Sequence, residues 1–259
     1  MCIAIYKPKG KTIEEKTLKT SWDNNKDGAG YMYNHNGLII GKKGFMTYQE
    51  LIQDLSDNKI MKKNKIAKNI EIVIHFRIAT HGGIEPGKCH PFPASDNIEK
   101  LHSLNWKDNC GIAHNGIVHE YAEKNLSDTQ GFIQKVLSSP VILNNLDNDS
   151  IKELIKESTI GSKFVIMNKD KVYLFGNWIN DKGVFFSNNS YIPYIWKDDK
   201  TDLLNWNYEN DPLSFWQEDE VKLISHCSYF EDCNECPYME NLDGEKTCII
   251  WRDHLDLDF

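Results

Sequence analysis

Cysteine stands at position 2, directly behind Met1, and opens the apolar run Cys2-Ile3-Ala4-Ile5-Tyr6. With Met1 excised, the Cys2 thiol sits beside its own α-amine, whose reference pKa is about 8. Such an amine takes a proton from the thiol near neutral pH and later returns it to a leaving group, so one residue supplies both nucleophile and base. A small apolar cysteine packed in a first strand looks the same at this level, since free cysteines are among the most buried residue types. The rest of the chain has to separate the two.

Three further segments carry polar groups of complementary chemistry. His75-Phe76-Arg77-Ile78-Ala79-Thr80-His81-Gly82-Gly83 leaves an apolar run and enters a glycine-containing loop. There the planar fork of Arg77 suits a carboxylate, and Thr80 and His81 can add hydrogen bonds to the same anion. In Gly111-Ile112-Ala113-His114-Asn115-Gly116-Ile117-Val118, the side-chain amide of Asn115 and the backbone N–H of Gly116 are the donors an oxyanion hole needs. Asp128, in Leu126-Ser127-Asp128-Thr129, is placed to bind an ammonium group or to complement a helix dipole. Taken singly, Arg77 reads as an ion-pair partner and Asn115-Gly116 as an ordinary turn.

Together, Met1-Cys2-Ile3-Ala4, the His75 to Gly82 segment, Cys89-His90-Pro91, Ala113-His114-Asn115-Gly116 and Ser127-Asp128-Thr129 follow a recognisable order. With the glycine turn Asp27-Gly28-Ala29-Gly30, they resemble the glutaminase domain of class II glutamine amidotransferases, which are N-terminal nucleophile hydrolases. The resemblance implies an α+β chain with a four-layer αββα sandwich. It also implies that Cys2 attacks the side-chain amide of glutamine through a γ-glutamyl thioester, with Asn115 and Gly116 stabilising the oxyanion. Arg77, Thr80 and His81 would hold the substrate α-carboxylate, and Asp128 its α-ammonium. Ile3-Ala4 departs from the family's Gly-Ile, and Phe76 and Ile78 stand where the family has Thr and Trp. A smaller residue at 78 leaves room for another γ-glutamyl amide or small amide as substrate. A third reading, of a different class, is a catalytically silent ligand-binding or scaffold protein that keeps Met1. The chain is too short to carry the synthase half of the bifunctional relatives, so released ammonia implies a separate ammonia-accepting synthase partner. The catalytic chemistry requires no cofactor.

Elements that would position these residues are legible from periodicity. Short β-branched and aromatic runs predict strands at Cys2 to Tyr6, Gly30 to Asn34, Leu38 to Gly41, Ile70 to Arg77, Gly111 to His114, Lys163 to Met167, Val172 to Phe175 and Val184 to Ser187. Asn34-His35-Asn36-Gly37 and Asn168-Lys169-Asp170-Lys171 predict hairpin turns, which favour antiparallel sheets. Helices are expected at Thr47 to Asp57, Ser127 to Ser138 and Asp149 to Glu157. Ser127 with Gln130 three residues on forms a capping-box pattern.

The 259 residues fall into an amidotransferase-like domain at 1–195 and an acidic extension at 196–259, rich in Trp and Cys. In that extension, Cys227, Cys233, Cys236 and Cys248 offer soft ligands with one C-x-x-C knuckle, which fits a structural zinc site as well as unliganded packing cysteines. A formal charge of −8 argues against nucleic acid as a partner. The lysine cluster Lys59, Lys62, Lys63, Lys65 and Lys68 reads as a solvated surface. The absence of a long apolar segment and of a leader, with seven cysteines, points to a reduced, cytoplasmic setting and no membrane.

Overall fold

A computed structural model of the chain describes residues 2–79, 83–118, 121–123 and 125–193, with the backbone of two further strands near the C-terminus. The chain divides into two units, Met1–Ile195 and Trp196–Phe259. In the first unit, strand β1 (Ile3–Lys7) precedes helix α1 (Glu15–Asp23) and a hairpin of β2 (Ala29–His35) and β3 (Leu38–Phe45). Asn36 and Gly37 turn that hairpin at φ of 54° and 85°, the left-handed geometry that an Asn-Gly pair adopts at low cost. Helix α2 (Tyr48–Asp57) starts at a reciprocal capping box between Thr47 and Glu50. The small hairpin of β4 (Met61–Lys62) and β5 (Lys65–Ile66) exposes the clustered lysines and leads into β6 (Ile72–Phe76).

Next come β7 (Phe92–Pro93), helix α3 (Ile98–His102), β8 (Asn105–Asp108) and β9 (Cys110–Asn115). Helix α4 (Asp128–Phe132) begins at the capping box of Ser127 and Gln130. It passes into a π-helical segment, Ile133–Leu137, in place of the single α-helix expected to Ser138. Helices α5 (Pro140–Leu143) and α6 (Asp149–Ser158) follow, then the hairpin of β10 (Lys163–Asn168) and β11 (Val172–Phe175). Strands β12 (Ile179–Asp181) and β13 (Val184–Phe186) end the described part of this unit's regular structure.

The strands form a seven-stranded sheet, in the order β12-β13-β1-β6-β2-β3-β8, and a four-stranded sheet, β11-β10-β9-β7. Each pairing within them is antiparallel. Because successive side chains point to opposite faces, a strand such as β6 feeds two cores. Ile72, Ile74 and Phe76 of β6 pack with Leu18 and Trp22 of α1 and with Leu51 and Leu55 of α2. Val73, between them in sequence, packs instead with Met32, Ala113, Val165 and Met167, a cluster drawn from both sheets. On β9 and β10, Ile112, Phe164 and Ile166 join Phe132, Ile133, Leu137 and Ile155 from the later helices.

Phe76 therefore lies in the core, edge-on to Trp22 at 6.3 Å between ring centroids, and is not a wall of the space around Arg77. In the second unit the described backbone is an antiparallel pair, β14 (Met239–Leu242) and β15 (Glu245–Cys248), with Met239 opposite Cys248. The side chains of Cys227, Cys233, Cys236 and Cys248 lie outside the described residues. Among the described residues, no group of three His, Cys, Asp or Glu is arranged to hold a metal ion, and no helix is long and apolar enough to cross a membrane.

Candidate active site

Strand β1 delivers Cys2 to the open end of β6. Their antiparallel register pairs Ile3 with Phe76, so Cys2 meets the backbone just past the end of β6. There its half-buried Sγ accepts a hydrogen bond from the Ile78 amide and donates to the Ile78 carbonyl, both at 3.4 Å. Burial pushes the thiol's pKa up, while the Ile78 amide pulls it down. The net effect raises it, so Cys2 is a neutral thiol near pH 7 and needs a base to become a nucleophile. No described imidazole hydrogen-bonds to it.

Arg77 is fixed from both sides of its backbone. Its N–H donates to the Gly28 carbonyl at 2.8 Å, and its carbonyl accepts from the Asp27 N–H at 2.9 Å. Asp27 also accepts the Ala79 amide through Oδ2 at 2.7 Å, which braces the chain on the far side of Ile78. Gly28 is required here: its φ is +121°, and a Cβ would come within 2.5 Å of Cys89 Sγ. The Arg77 guanidinium is buried, with Nη2 donating to the Gly83 carbonyl at 2.9 Å. Among the described residues its Nη1 has no hydrogen-bond partner, a costly arrangement for a buried cation and one that a carboxylate ligand relieves. Thr80 and His81, expected beside it, lie outside the described residues, as does Met1.

At the end of β9, Asn115 is buried and its Nδ2 donates to Ser187 Oγ at 2.8 Å. Ser187 also ties down β1, since the Ala4 N–H donates to the same Oγ at 2.9 Å. Gly116 follows, exposed, at φ +145°, where a Cβ would lie 2.3 Å from Ser162 Oγ, so only glycine fits this turn. Asp128 Oδ2 accepts the Val118 N–H at 2.8 Å, and Oδ1 accepts the Thr129 N–H at 2.7 Å. The carboxylate thus holds the turn that presents Asn115 and Gly116.

Three histidines, His75, His90 and His114, form a buried cluster around Thr129. Thr129 Oγ1 donates to Asp128 Oδ1 at 3.3 Å, which leaves its lone pairs for His114 Nδ1 at 2.8 Å and His90 Nε2 at 3.3 Å. His75 Nε2 donates to the His114 carbonyl at 3.1 Å. The remaining ring nitrogens, His75 Nδ1, His90 Nδ1 and His114 Nε2, have no hydrogen-bond partner among the described residues and are the bare ones in these tautomers. Burial lowers the pKa of His75 and of His114 to about 3, and that of His90 well below its ordinary value. Beside them Lys43 donates to the Gly87 and Leu101 carbonyls at 2.8 and 2.7 Å, and burial lowers its pKa to about 7.

Cys2, Arg77, Asn115, Gly116 and Asp128 thus sit at the ends of elements linked by direct hydrogen bonds. Sequence reading missed Ser187 and Asn188, whose only signal was their place at the end of an expected strand. No protein-family model matches the chain, and no curated protein matches it. Among solved structures, the chain is similar to one described as the allosteric regulatory enzyme of purine biosynthesis, at 15% identity and a TM-score of 0.42. The likeness covers 72% of this chain and 41% of that one, so the chain spans well under two thirds of that enzyme's length.

Proposed function

We propose that the chain is a glutamine amidohydrolase of the class II, N-terminal cysteine type, releasing ammonia for a separate acceptor. One observation carries the reading: the Cys2 thiol rests on the backbone of Ile78, next to a buried Arg77 whose Nη1 is unpartnered among the described residues. The three cores, two of them between helices and a sheet and one between the sheets, fit the four-layer αββα sandwich of such enzymes.

In this mechanism Met1 is excised and the free α-amine of Cys2 takes the proton of the half-buried thiol. The thiolate attacks the side-chain amide carbon of glutamine, whose α-carboxylate is held by Arg77 with Thr80 and His81. Asn115 carries two amide protons, of which Ser187 accepts one. The second, with the Gly116 N–H, donates to the tetrahedral oxyanion. The α-ammonium returns its proton to the departing nitrogen, and ammonia leaves. Water, deprotonated by the same amine, opens the γ-glutamyl thioester to glutamate and restores Cys2. Asp128 accepts the substrate ammonium through lone pairs left over from Val118 and Thr129.

Intact mass and ammonia release test this together. The expected result is protein lacking Met1 that releases ammonia from glutamine. Its activity rises with pH through a limb near about 8, and its γ-glutamyl adduct maps to Cys2. Active protein that retains Met1 refutes the mechanism, and turnover of other γ-glutamyl amides without glutamine refutes the substrate.

A further inference from the structure

We infer that Ser187 and Asn188 are positioning residues that lock the nucleophile strand to the oxyanion donor. Both roles rest on the amidohydrolase reading of Cys2 and Asn115. The register of β1 on β13, Ile5 with Phe186 and Tyr6 with Phe185, sets Ala4 opposite Ser187. In a regular antiparallel ladder such a pair exchanges two backbone hydrogen bonds. Only one is made here, from the Ser187 N–H to the Ala4 carbonyl at 2.9 Å. The Ala4 N–H goes instead to Ser187 Oγ, so a side chain takes the place of the backbone acceptor.

That exchange has two consequences. Ser187 Oγ becomes the shared acceptor of the Ala4 amide on the large sheet and of Asn115 Nδ2 on the small one, fixing their separation through one buried atom. The Ser187 backbone is also free to turn, which carries Asn188 back over the start of β1. Asn188 Oδ1 accepts the Ser190 N–H at 3.0 Å, which orients the amide so that Nδ2 donates to the Cys2 carbonyl at 2.7 Å. Asn188 pins the residue that bears both thiol and amine, and Ser187 aims the amide that receives the charge.

A double-mutant cycle separates positioning from general damage. Ser187→Ala is expected to lower kcat by roughly 10- to 100-fold with little change in KM, the scale of loss for a misplaced catalytic group. Alkylation of Cys2 by iodoacetamide, which forms no oxyanion, is expected to stay at the wild-type rate. Ser187→Thr, which keeps the hydroxyl, should restore kcat. In an Asn115→Ala background the Ser187→Ala loss should vanish, because Ser187 acts through Asn115. Additive losses, or a fall in alkylation that matches the fall in kcat, overturn the role of Ser187. Asn188→Ala should lower kcat and alkylation together, and a change in neither overturns its role. If the wild-type chain turns over neither glutamine nor γ-glutamyl amides, the functional reading fails by itself. The Asn115 side-chain amide protons then decide the clamp: slow solvent exchange in wild type that becomes fast in Ser187→Ala supports it, and equal exchange rates overturn it.

Discussion

The surroundings of Cys2 and the histidine cluster around Thr129 are both buried and polar, yet their hydrogen-bond accounts close in different ways. Around Thr129 every N–H has an acceptor, and the nitrogens left over are bare lone pairs on rings that burial keeps neutral. Around Cys2 the atom left over among the described residues is a donor on a permanent cation, Arg77 Nη1, beside a thiol whose hydrogen bonds are to backbone groups. A neutral ring tolerates an idle nitrogen at modest cost, whereas a buried guanidinium leaves an anion-binding group unused. The difference teaches that the imidazoles of His75, His90 and His114 serve the hydrogen-bond network around Thr129.

Replacing Cys2, the proposed nucleophile, tests that contrast most severely. Cys2→Ala is expected to cost at least about 10⁴-fold in turnover, the scale on which nucleophile deletions fall, while the melting temperature stays close to wild type. Ammonia release at the wild-type rate would move the chemistry elsewhere. Asn115→Ala comes next, with an expected loss of about 10²- to 10³-fold in kcat from one missing oxyanion donor. A purely raised KM would assign Asn115 to substrate binding instead.

The smallest effect on activity belongs to the histidine cluster. His114 stacks on Phe164 at 4.1 Å, so His114→Phe keeps the packing and removes one hydrogen bond to Thr129. We expect a stability loss of about 1 to 3 kcal/mol in denaturant titration, with an unchanged pH limb in kcat. A lost limb would make this imidazole the base. The pH dependence of folding sharpens the point. In the folded chain His75 and His114 take up protons only near pH 3, whereas in the unfolded chain they do so near the ordinary 6.5. Their contribution to stability is complete above about 6.5 and is lost as the pH falls toward 3, and His114→Phe should shrink that loss.

Local signals identified many elements. The Asn36-Gly37 turn, the capping boxes at Thr47 and Ser127, and the alternation through Ile72 to Phe76 each depend on residues close in sequence. Helix α1 escaped because its buried apolar positions are only Leu18 and Trp22, and its N-cap, Glu14, makes no side-chain cap. The Ser127 helix was placed at its start but not through its length, since a π-helical segment reflects how its side chains pack and not their periodicity. Lys7 and Lys43, by composition surface residues, are buried where carbonyls of distant segments accept their ammonium groups.

The sequence by itself determined which residues have the chemistry of a nucleophile, a carboxylate fork and an oxyanion donor. It did so because residue type and the order of short motifs are local properties. Only the tertiary structure decided that Ser187 joins the strand of Cys2 to Asn115, that Asp128 holds a turn, that Phe76 is core and that three histidines stay neutral. Each of these depends on hydrogen bonds or burial between segments from 10 to 183 residues apart, contacts that the folded chain alone brings about.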